Sequence, residues 1–291
     1  MKQRIVGHPL VAYFALAYAF TWIPIAVVLV ATHFGLLSSN SPVVAITSQL
    51  ISFGPAIAAL IATAVVGGRV GVGQLLRRLV QWRVGMRWYP IVVFGVPTAL
   101  VIGAIILFRG APLTASAGQW QRIVLLYLPT LALAAITTGL GEETGWRGFA
   151  LPRLQGKYGA LIATLVVGVF WALWHLPNVI FFHWGPQTLA LFLVETLMDA
   201  FILTWVYNNT GGSLLLAILL HAAQNNSTHV LSTLMPRISV DQLYLVYILV
   251  DVTVVLVILV VTRGTLSYRR PRSSAVDGVG EERPAAKVVG R

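Results

Sequence analysis

Gly-Glu-Glu-Thr-Gly-Trp-Arg-Gly, at residues 141–148, places two adjacent carboxylates at the end of an apolar run that begins near Val124. An ionised side chain at mid-membrane costs on the order of 3 kcal/mol, so such residues face a partner or a water-filled cavity. Two later apolar runs each carry a histidine, His175 and His221. We therefore predict that the fold brings these three stretches together inside a bilayer.

The composition indicates a polytopic membrane protein. Of the 291 residues, 57% are hydrophobic and 10% are charged, whereas soluble domains carry roughly 25% charged residues. The net charge of +11 does not indicate nucleic acid, because the basic residues are spread through short loops and never form a basic face with interleaved aromatic residues. The lack of cysteine excludes disulfides, thiol nucleophiles and cysteine metal ligands.

Apolar runs of about twenty residues, long enough to cross a bilayer, recur along the chain. They predict an all-α fold with about eight transmembrane helices in one intramembrane domain, residues 1–263, whose motif-bearing core is about 124–230. Residues 264–291 have the composition of a disordered cytoplasmic tail. The runs fall near 9–34, 42–67, 88–108, 122–142, 159–182, 187–207, 213–232 and 242–262.

The basic residues predict the orientation. With the N-terminus in the cytoplasm, seventeen of the twenty Lys and Arg residues fall on the cytoplasmic side, and the exceptions are Arg109, Arg122 and Arg237. This asymmetry predicts an integral membrane protein with both termini in the cytoplasm, in the cell membrane if the source is bacterial. Residues 146–158 suit a short helix in the cytoplasmic interface, and an ordinary connecting loop is the alternative.

Helical spacing separates the two adjacent acids. Glu143 and Arg147 are four residues apart and so pair on one face, whereas Glu142 points about 100° away and is left as the free carboxylate. Glu195 and Asp199 also share a face, which we assign to a structural or cavity-lining role. Asp251 stands alone in the last run, and the sequence assigns it no role.

The two histidines have both structural and functional interpretations. His175 follows Trp171 by one helical turn, and Pro177 is expected to kink the helix beside the imidazole. His221 and Asn225 are four residues apart, so a ring nitrogen and an amide face the same spot. A hydrogen bond between helices would explain His221 and Asn225 equally well.

Taken in order, Glu142-Glu143-x-x-x-Arg147, an aromatic residue four before His175, and His221-x-x-x-Asn225 resemble the CAAX-protease and bacteriocin-processing family of intramembrane endopeptidases. Eukaryotic relatives in this family are prenyl-protein endopeptidases that trim CAAX termini. The resemblance covers about residues 124–230. Trp171 departs from it, because the family's second motif usually begins with Phe, and we expect this change to affect packing more than chemistry.

The resemblance implies that Glu142 and His175 activate water, that His221 and Asn225 form the oxyanion site, and that Glu143 and Arg147 hold the motif in shape. A carboxylate, an imidazole and an amide are chemically sufficient for peptide hydrolysis. The expected partners are the lipid bilayer and a peptide or membrane-protein substrate, lipidated or not.

A catalytic metal is left open by the sequence. Glu142, His175 and His221 also match the two-histidine, one-carboxylate set of catalytic zinc, although His-Glu-x-x-His is absent. We therefore commit to no metal, and zinc stays the candidate cofactor.

Two other classes of function remain. In a proton-coupled transporter, the acids and His175 would form an ion path, but no inverted repeat supports this. A non-catalytic immunity or scaffold protein of the same fold is the other alternative.

The predicted span boundaries contain a conflict. Counted from Gly159, His175 lies about 24 Å up its helix, at roughly 1.5 Å per residue, whereas Glu142 lies at the cytoplasmic end of its own span. Either the fourth span continues past Glu143, or residues 159–165 lie below the bilayer. We expect the site in a cavity that opens to the cytoplasm.

Overall fold

The computed structural model describes residues 2–38, 40–110, 119–182 and 184–269, and all regular secondary structure in these ranges is helical. The predicted all-α polytopic fold is confirmed. Of the predicted tail, residues 270–291 lie outside the described residues. The α-helices are α1 (Lys2–Gly7), α2 (Pro9–His33), α3 (Pro42–Leu50), α4 (Gly54–Leu79), α5 (Trp88–Pro90), α6 (Val96–Leu107), α7 (Trp120–Ala134), α8 (Leu140–Gly145), α9 (Leu151–Tyr158), α10 (Ala160–Trp174), α11 (Pro177–Phe182), α12 (Pro186–Asn209), α13 (Leu214–Leu234) and α14 (Val240–Thr262).

Within these ranges, six helical segments are long and apolar enough to cross a membrane. Helix α10 is apolar but has 15 residues, and α13 carries the polar residues His221, Gln224 and Asn225 along its length. The count of about eight spans therefore stays a prediction. The six segments are Pro9–His33, Pro42–Leu79, Trp88–Leu107, Gln121–Tyr158, Pro186–Asn209 and Val240–Thr262.

The segment that carries Glu142 is a single helical run, Gln121–Tyr158. It includes two π-helical turns, Ala135–Gly139 and Trp146–Ala150, which flank α8. Residues 146–158 are helical, so the alternative of an ordinary loop was wrong, and Trp146 and Phe149 are fully buried in the core. The interfacial location of this stretch stays a prediction. Trp146, Phe149 and Leu154 pack inside the protein, whereas Tyr158 is exposed.

A tight reversal follows this run at Gly159, whose φ of +81° is accessible to glycine at little cost. Helix α10 then returns antiparallel to α9. Glu142 and His175 each lie about sixteen residues from the reversal, which is about 24 Å along either helix, so they meet at the same height. The helical run continues past Glu143, so the two residues meet, and the position of the hairpin relative to the bilayer stays a prediction.

Close backbone contact fixes the position of α8 against the start of α4. A Cβ atom at Gly141 would lie 2.4 Å from the carbonyl oxygen of Ser52, and one at Gly145 would lie 2.5 Å from Pro55 Cβ. Small residues at this spacing let two membrane helices approach closely. The glycines of residues 141–148 therefore hold the two acids at a fixed depth.

Arg78 supports the same segment from α4. Its guanidinium donates to the carbonyl oxygens of Gly148 at 3.3 Å, Arg147 at 3.3 Å and Gly212 at 3.2 Å. Pro152, four residues after Gly148, has no N–H with which to satisfy that carbonyl. Arg78 supplies the missing donor, so it does more than contribute to the basic asymmetry of the loops.

Candidate active site

Glu142 lies on the wall of a cavity, away from Arg147 as its helical spacing predicts. The residue is 3% exposed, and its carboxylate accepts a hydrogen bond from Trp171 Nε1 at 2.6 Å. Oε2 also lies 3.9 Å from His175 Nε2. Glu142 is therefore not the entirely free carboxylate of the prediction, since one oxygen has a donor and faces an imidazole.

His175 immediately follows the last residue of α10. Its Nδ1 lies 2.9 Å from the carbonyl oxygen of Trp171, and because a carbonyl only accepts, Nδ1 carries the proton. In the neutral ring, Nε2 is then the basic nitrogen, and it is the atom that faces Glu142. The helix is interrupted where a kink was predicted: α10 ends at Trp174, and Pro177 begins the separate helix α11.

Glu143 forms the predicted pair with Arg147, whose Nη1 donates to Glu143 Oε1 at 2.9 Å, and both side chains are fully buried. His221 Nδ1 donates to the same oxygen at 2.8 Å. This contact between α8 and α13 was not predicted, because helical spacing gives no information on it. It leaves His221 Nε2 as an acceptor when the ring is neutral and as a donor only when the ring is protonated.

Asn225 lies one turn beyond His221 on α13, and the two residues share a face as predicted. Its Nδ2 donates to Thr138 Oγ1 at 3.0 Å, and Thr138 belongs to the π-helical turn that precedes Glu142. An amide nitrogen carries two hydrogens, so one hydrogen of Asn225 is held by Thr138 and the second is free for a ligand.

A cavity of about 310 Å³ joins these residues. Glu142, His175, His221 and Asn225 all line it, together with Trp171. The site residues that the sequence proposed from three distant motifs therefore share one cavity. Glu195 and Asp199 line it too, in agreement with the cavity-lining role assigned to them.

Comparison with known proteins adds to this geometry. The model of the family described as type II CAAX prenyl endopeptidase Rce1-like matches residues 120–227, a range that includes all the motif residues. The predicted resemblance to the CAAX-protease and bacteriocin-processing family is therefore confirmed over this range. The chain is also 26% identical over 162 residues to CAAX prenyl protease 2 of Methanococcus maripaludis. That alignment covers 51% of this chain and 58% of the relative, so the chain spans little more than half the length of the curated relative.

Asp251, to which the sequence assigned no role, completes an acidic cluster with two residues of the cavity wall. Its carboxylate, with those of Glu195 and Asp199, forms a buried group whose ligand atoms lie within 4.8 Å of one another. Gln224 donates to Asp199 Oδ1, and Asp251 Oδ2 has no hydrogen-bond partner. Three buried carboxylates at this spacing cannot all be ionised unless a cation compensates their charge.

The candidate zinc ligands do not form a preformed site. Among the described residues, the acidic cluster is the one group of three or more His, Asp or Glu whose ligand atoms lie within 4.8 Å of one another. Glu142, His175 and His221 do not meet this geometry. The hydrogen bond from His221 Nδ1 to Glu143 still leaves Nε2 available to a metal ion. Three ligands at about 2.0–2.2 Å from one zinc ion would have to converge more closely. No step of the mechanism below uses a metal.

Proposed function

We propose that this chain is a membrane-embedded endopeptidase of the CAAX-protease type, which hydrolyses a peptide bond with a water molecule activated by Glu142 and His175. The observation that carries the proposal is the 3.9 Å separation of Glu142 Oε2 and His175 Nε2 on the wall of one cavity. The family match and the name of the Methanococcus relative support it.

The separation suits a bridging water. Glu142 and His175 are too far apart for a direct hydrogen bond, but a water at about 2.8 Å from each fits between them. In the proposed step, Glu142 accepts a proton from this water while the oxygen attacks the substrate carbonyl carbon. The proton then passes to the leaving amine as the C–N bond breaks, which returns Glu142 to its carboxylate form.

The tetrahedral intermediate carries negative charge on the former carbonyl oxygen. The second hydrogen of Asn225 Nδ2 is one donor to this oxygen, and His221 Nε2 is the other when its ring is protonated. The carboxylate of Glu143, on the far side of the ring, stabilises that protonated form. Glu143 thereby supports His221 as well as pairing with Arg147.

The substrate is a peptide or membrane protein that reaches the cavity from the bilayer or the cytoplasm. Because the relative's name refers to CAAX prenyl substrates, a farnesylated CAAX peptide is the first to assay, beside the same peptide without its lipid. The full chain is purified in detergent, and cleavage is followed with a fluorophore and quencher on either side of the scissile bond.

Wild-type protein is expected to cleave, and Glu142→Ala and His175→Ala are expected to show no turnover. Equal cleavage by wild type and Glu142→Ala would overturn the mechanism. A folded wild-type chain that cleaves neither peptide nor a mixed library of membrane peptides would favour a non-catalytic scaffold.

The acidic cluster favours one second candidate, a proton-coupled carrier. Glu195 and Asp199 line the cavity and contact the buried Asp251, as acids in a proton path do. Proton flux into liposomes containing the chain, lost in Asp199→Asn, would support this function, whereas turnover without flux would exclude it.

A further inference from the structure

Trp171 makes the shortest polar contact to Glu142 that the described residues show. Its indole Nε1 donates to Glu142 Oε2 at 2.6 Å, and the residue is 3% exposed. Tryptophan at this position therefore adds a polar contact with Glu142 to its packing. A phenylalanine ring has no N–H and would leave that carboxylate oxygen without a donor.

The same residue contacts the other parts of the site. The guanidinium carbon of Arg147 lies 4.5 Å from the centroid of the Trp171 ring, and the His221 ring packs against it edge-to-face at 5.3 Å. Its backbone carbonyl oxygen accepts the hydrogen bond from His175 Nδ1 at 2.9 Å. One residue thus links the buried ion pair, both histidines and the proposed general base.

We propose that Trp171 is a positioning residue, whose indole N–H fixes the Glu142 carboxylate in the orientation that faces His175 Nε2. The inference rests on the proposed function. A carboxylate in a poorly solvated wall gains more from a fixed donor than it would in water, because no solvent competes for it. A single donor on Oε2 also restricts rotation of the carboxylate, so the oxygen that faces the imidazole stays in place.

Neighbouring tryptophans show that packing alone does not require such a bond. Trp146 and Trp174 have buried Nε1 atoms without hydrogen-bond partners, so the fold tolerates a buried indole N–H that has no acceptor. Trp146 is fully buried, and it is absent from the cavity wall that Trp174 lines. Trp146→Phe therefore removes a similar volume from the core without removing a hydrogen bond, which makes it the matched control.

The first test measures kcat and KM of the full chain with Trp171→Phe and Trp146→Phe. A lost hydrogen bond to a charged group corresponds to about a 10- to 100-fold effect, so we expect kcat to fall by that factor in Trp171→Phe with KM changed less than about threefold. Trp146→Phe is expected to keep its kcat. A sharper variant carries β-(3-benzothienyl)alanine at position 171, in which sulfur replaces the N–H with little change of shape, and it should match Trp171→Phe.

The second test does not depend on turnover. In protein labelled with ¹⁵N-tryptophan, the indole N–H signal that disappears in Trp171→Phe should shift upfield in Glu142→Ala, more than any other indole signal. The positioning role would be overturned by a benzothienyl variant with wild-type kcat, or by a Trp171 indole signal whose chemical shift does not change in Glu142→Ala. If the wild type cleaves no peptide, the proposed function fails, and the indole spectrum still decides whether Trp171 holds Glu142.

Discussion

Glu142 Oε2 and His175 Nε2 lie 3.9 Å apart because the two residues stand at nearly equal distances from the reversal at Gly159. The run that ends at Tyr158 and the returning helix α10 form an antiparallel hairpin, so positions equally far from the turn come to the same height. Adding or removing one residue near the turn would rotate one partner by about 100° and move it by about 1.5 Å. The geometry of the proposed water site therefore depends on the number of residues in the hairpin as well as on the side chains of Glu142 and His175.

Glu142→Gln is expected to abolish peptide cleavage without changing the fold. An amide oxygen still accepts from Trp171, so the buried contact survives, but the amide has no basic oxygen with which to accept a proton. Loss of a general base costs about 10²–10⁴ in rate. The measurement pairs kcat with the melting temperature of the purified protein in detergent.

Asp251→Asn is the control for removing an acid from the protein interior. Asp251 is 1% exposed and is not part of the cavity wall, and its neutralisation relieves repulsion within the acidic cluster. It should keep its activity and melt no lower than wild type. Comparable activity in Glu142→Gln and Asp251→Asn would contradict the role given to Glu142.

Contacts within one helix were predictable from the sequence, and contacts between helices were not. The Glu143–Arg147 pair and the shared face of His221 and Asn225 follow from a spacing of four residues. The bond from His221 to Glu143 depends on how α13 packs on α8, and no local pattern encodes that packing.

The burial of Trp146 was not predicted, for a related reason. Residues 146–158 carry Arg153 and Lys157 among apolar residues, a pattern that fits an interfacial helix as well as the buried end of a long span. Trp146 is fully buried because aromatic residues pack around it. Tyr13 contacts Trp146 edge-to-face at 5.8 Å, from a helix that sequence analysis could not place beside it.

Asn225→Ala is expected to lower kcat by about 10²–10³, the usual loss for one oxyanion donor. Thr138→Val should have a smaller effect of the same kind, about 2- to 10-fold, because it removes one ordinary hydrogen bond that orients the amide. In the double variant the Thr138 effect should vanish, since there is no amide left to orient. Additive losses in kcat would show that Thr138 acts by another route.

Gly141→Ala is expected to destabilise the protein and lower its activity. The new methyl group would lie 2.4 Å from the Ser52 carbonyl oxygen. Helix α8 would then have to move away from the backbone at Ser52, at a cost of about 1–3 kcal/mol. Gly156→Ala is the matched control, because a Cβ there meets no atom within 4 Å. Helix α9 should then gain up to about 1 kcal/mol. Melting temperatures that fall equally in both variants would refute close packing at Gly141.

The basic asymmetry predicts that both termini are cytoplasmic. A reporter that is active only in the cytoplasm should be active when it is fused after residue 263. The same reporter inserted beside Arg237 should be inactive, because that site is predicted to lie on the opposite side of the membrane. Of the six apolar segments, Val240–Thr262 lies between these two sites and is long enough to cross once. An extracytoplasmic reporter after residue 263 would show that the positive-inside rule fails for this chain.

Arg147→Ala should destabilise the protein by about 3–5 kcal/mol, because it leaves the carboxylate of Glu143 buried without its cation. The pair is not optimal for stability, since Glu143 Oε2 and two guanidinium nitrogens of Arg147 have no hydrogen-bond partner. Replacing both members with apolar residues of similar size, as in Glu143→Leu/Arg147→Met, should therefore recover most of the lost stability.

The double variant should nevertheless be inactive. Without Glu143, His221 loses the acceptor of its Nδ1 hydrogen at 2.8 Å, and with it both its ring orientation and the charge that favours its protonated form. Restored melting with lost turnover would show that this buried pair is retained for the catalytic geometry. Restored melting with wild-type turnover would show that His221 needs no support from Glu143, and the oxyanion role proposed for its ring would fail.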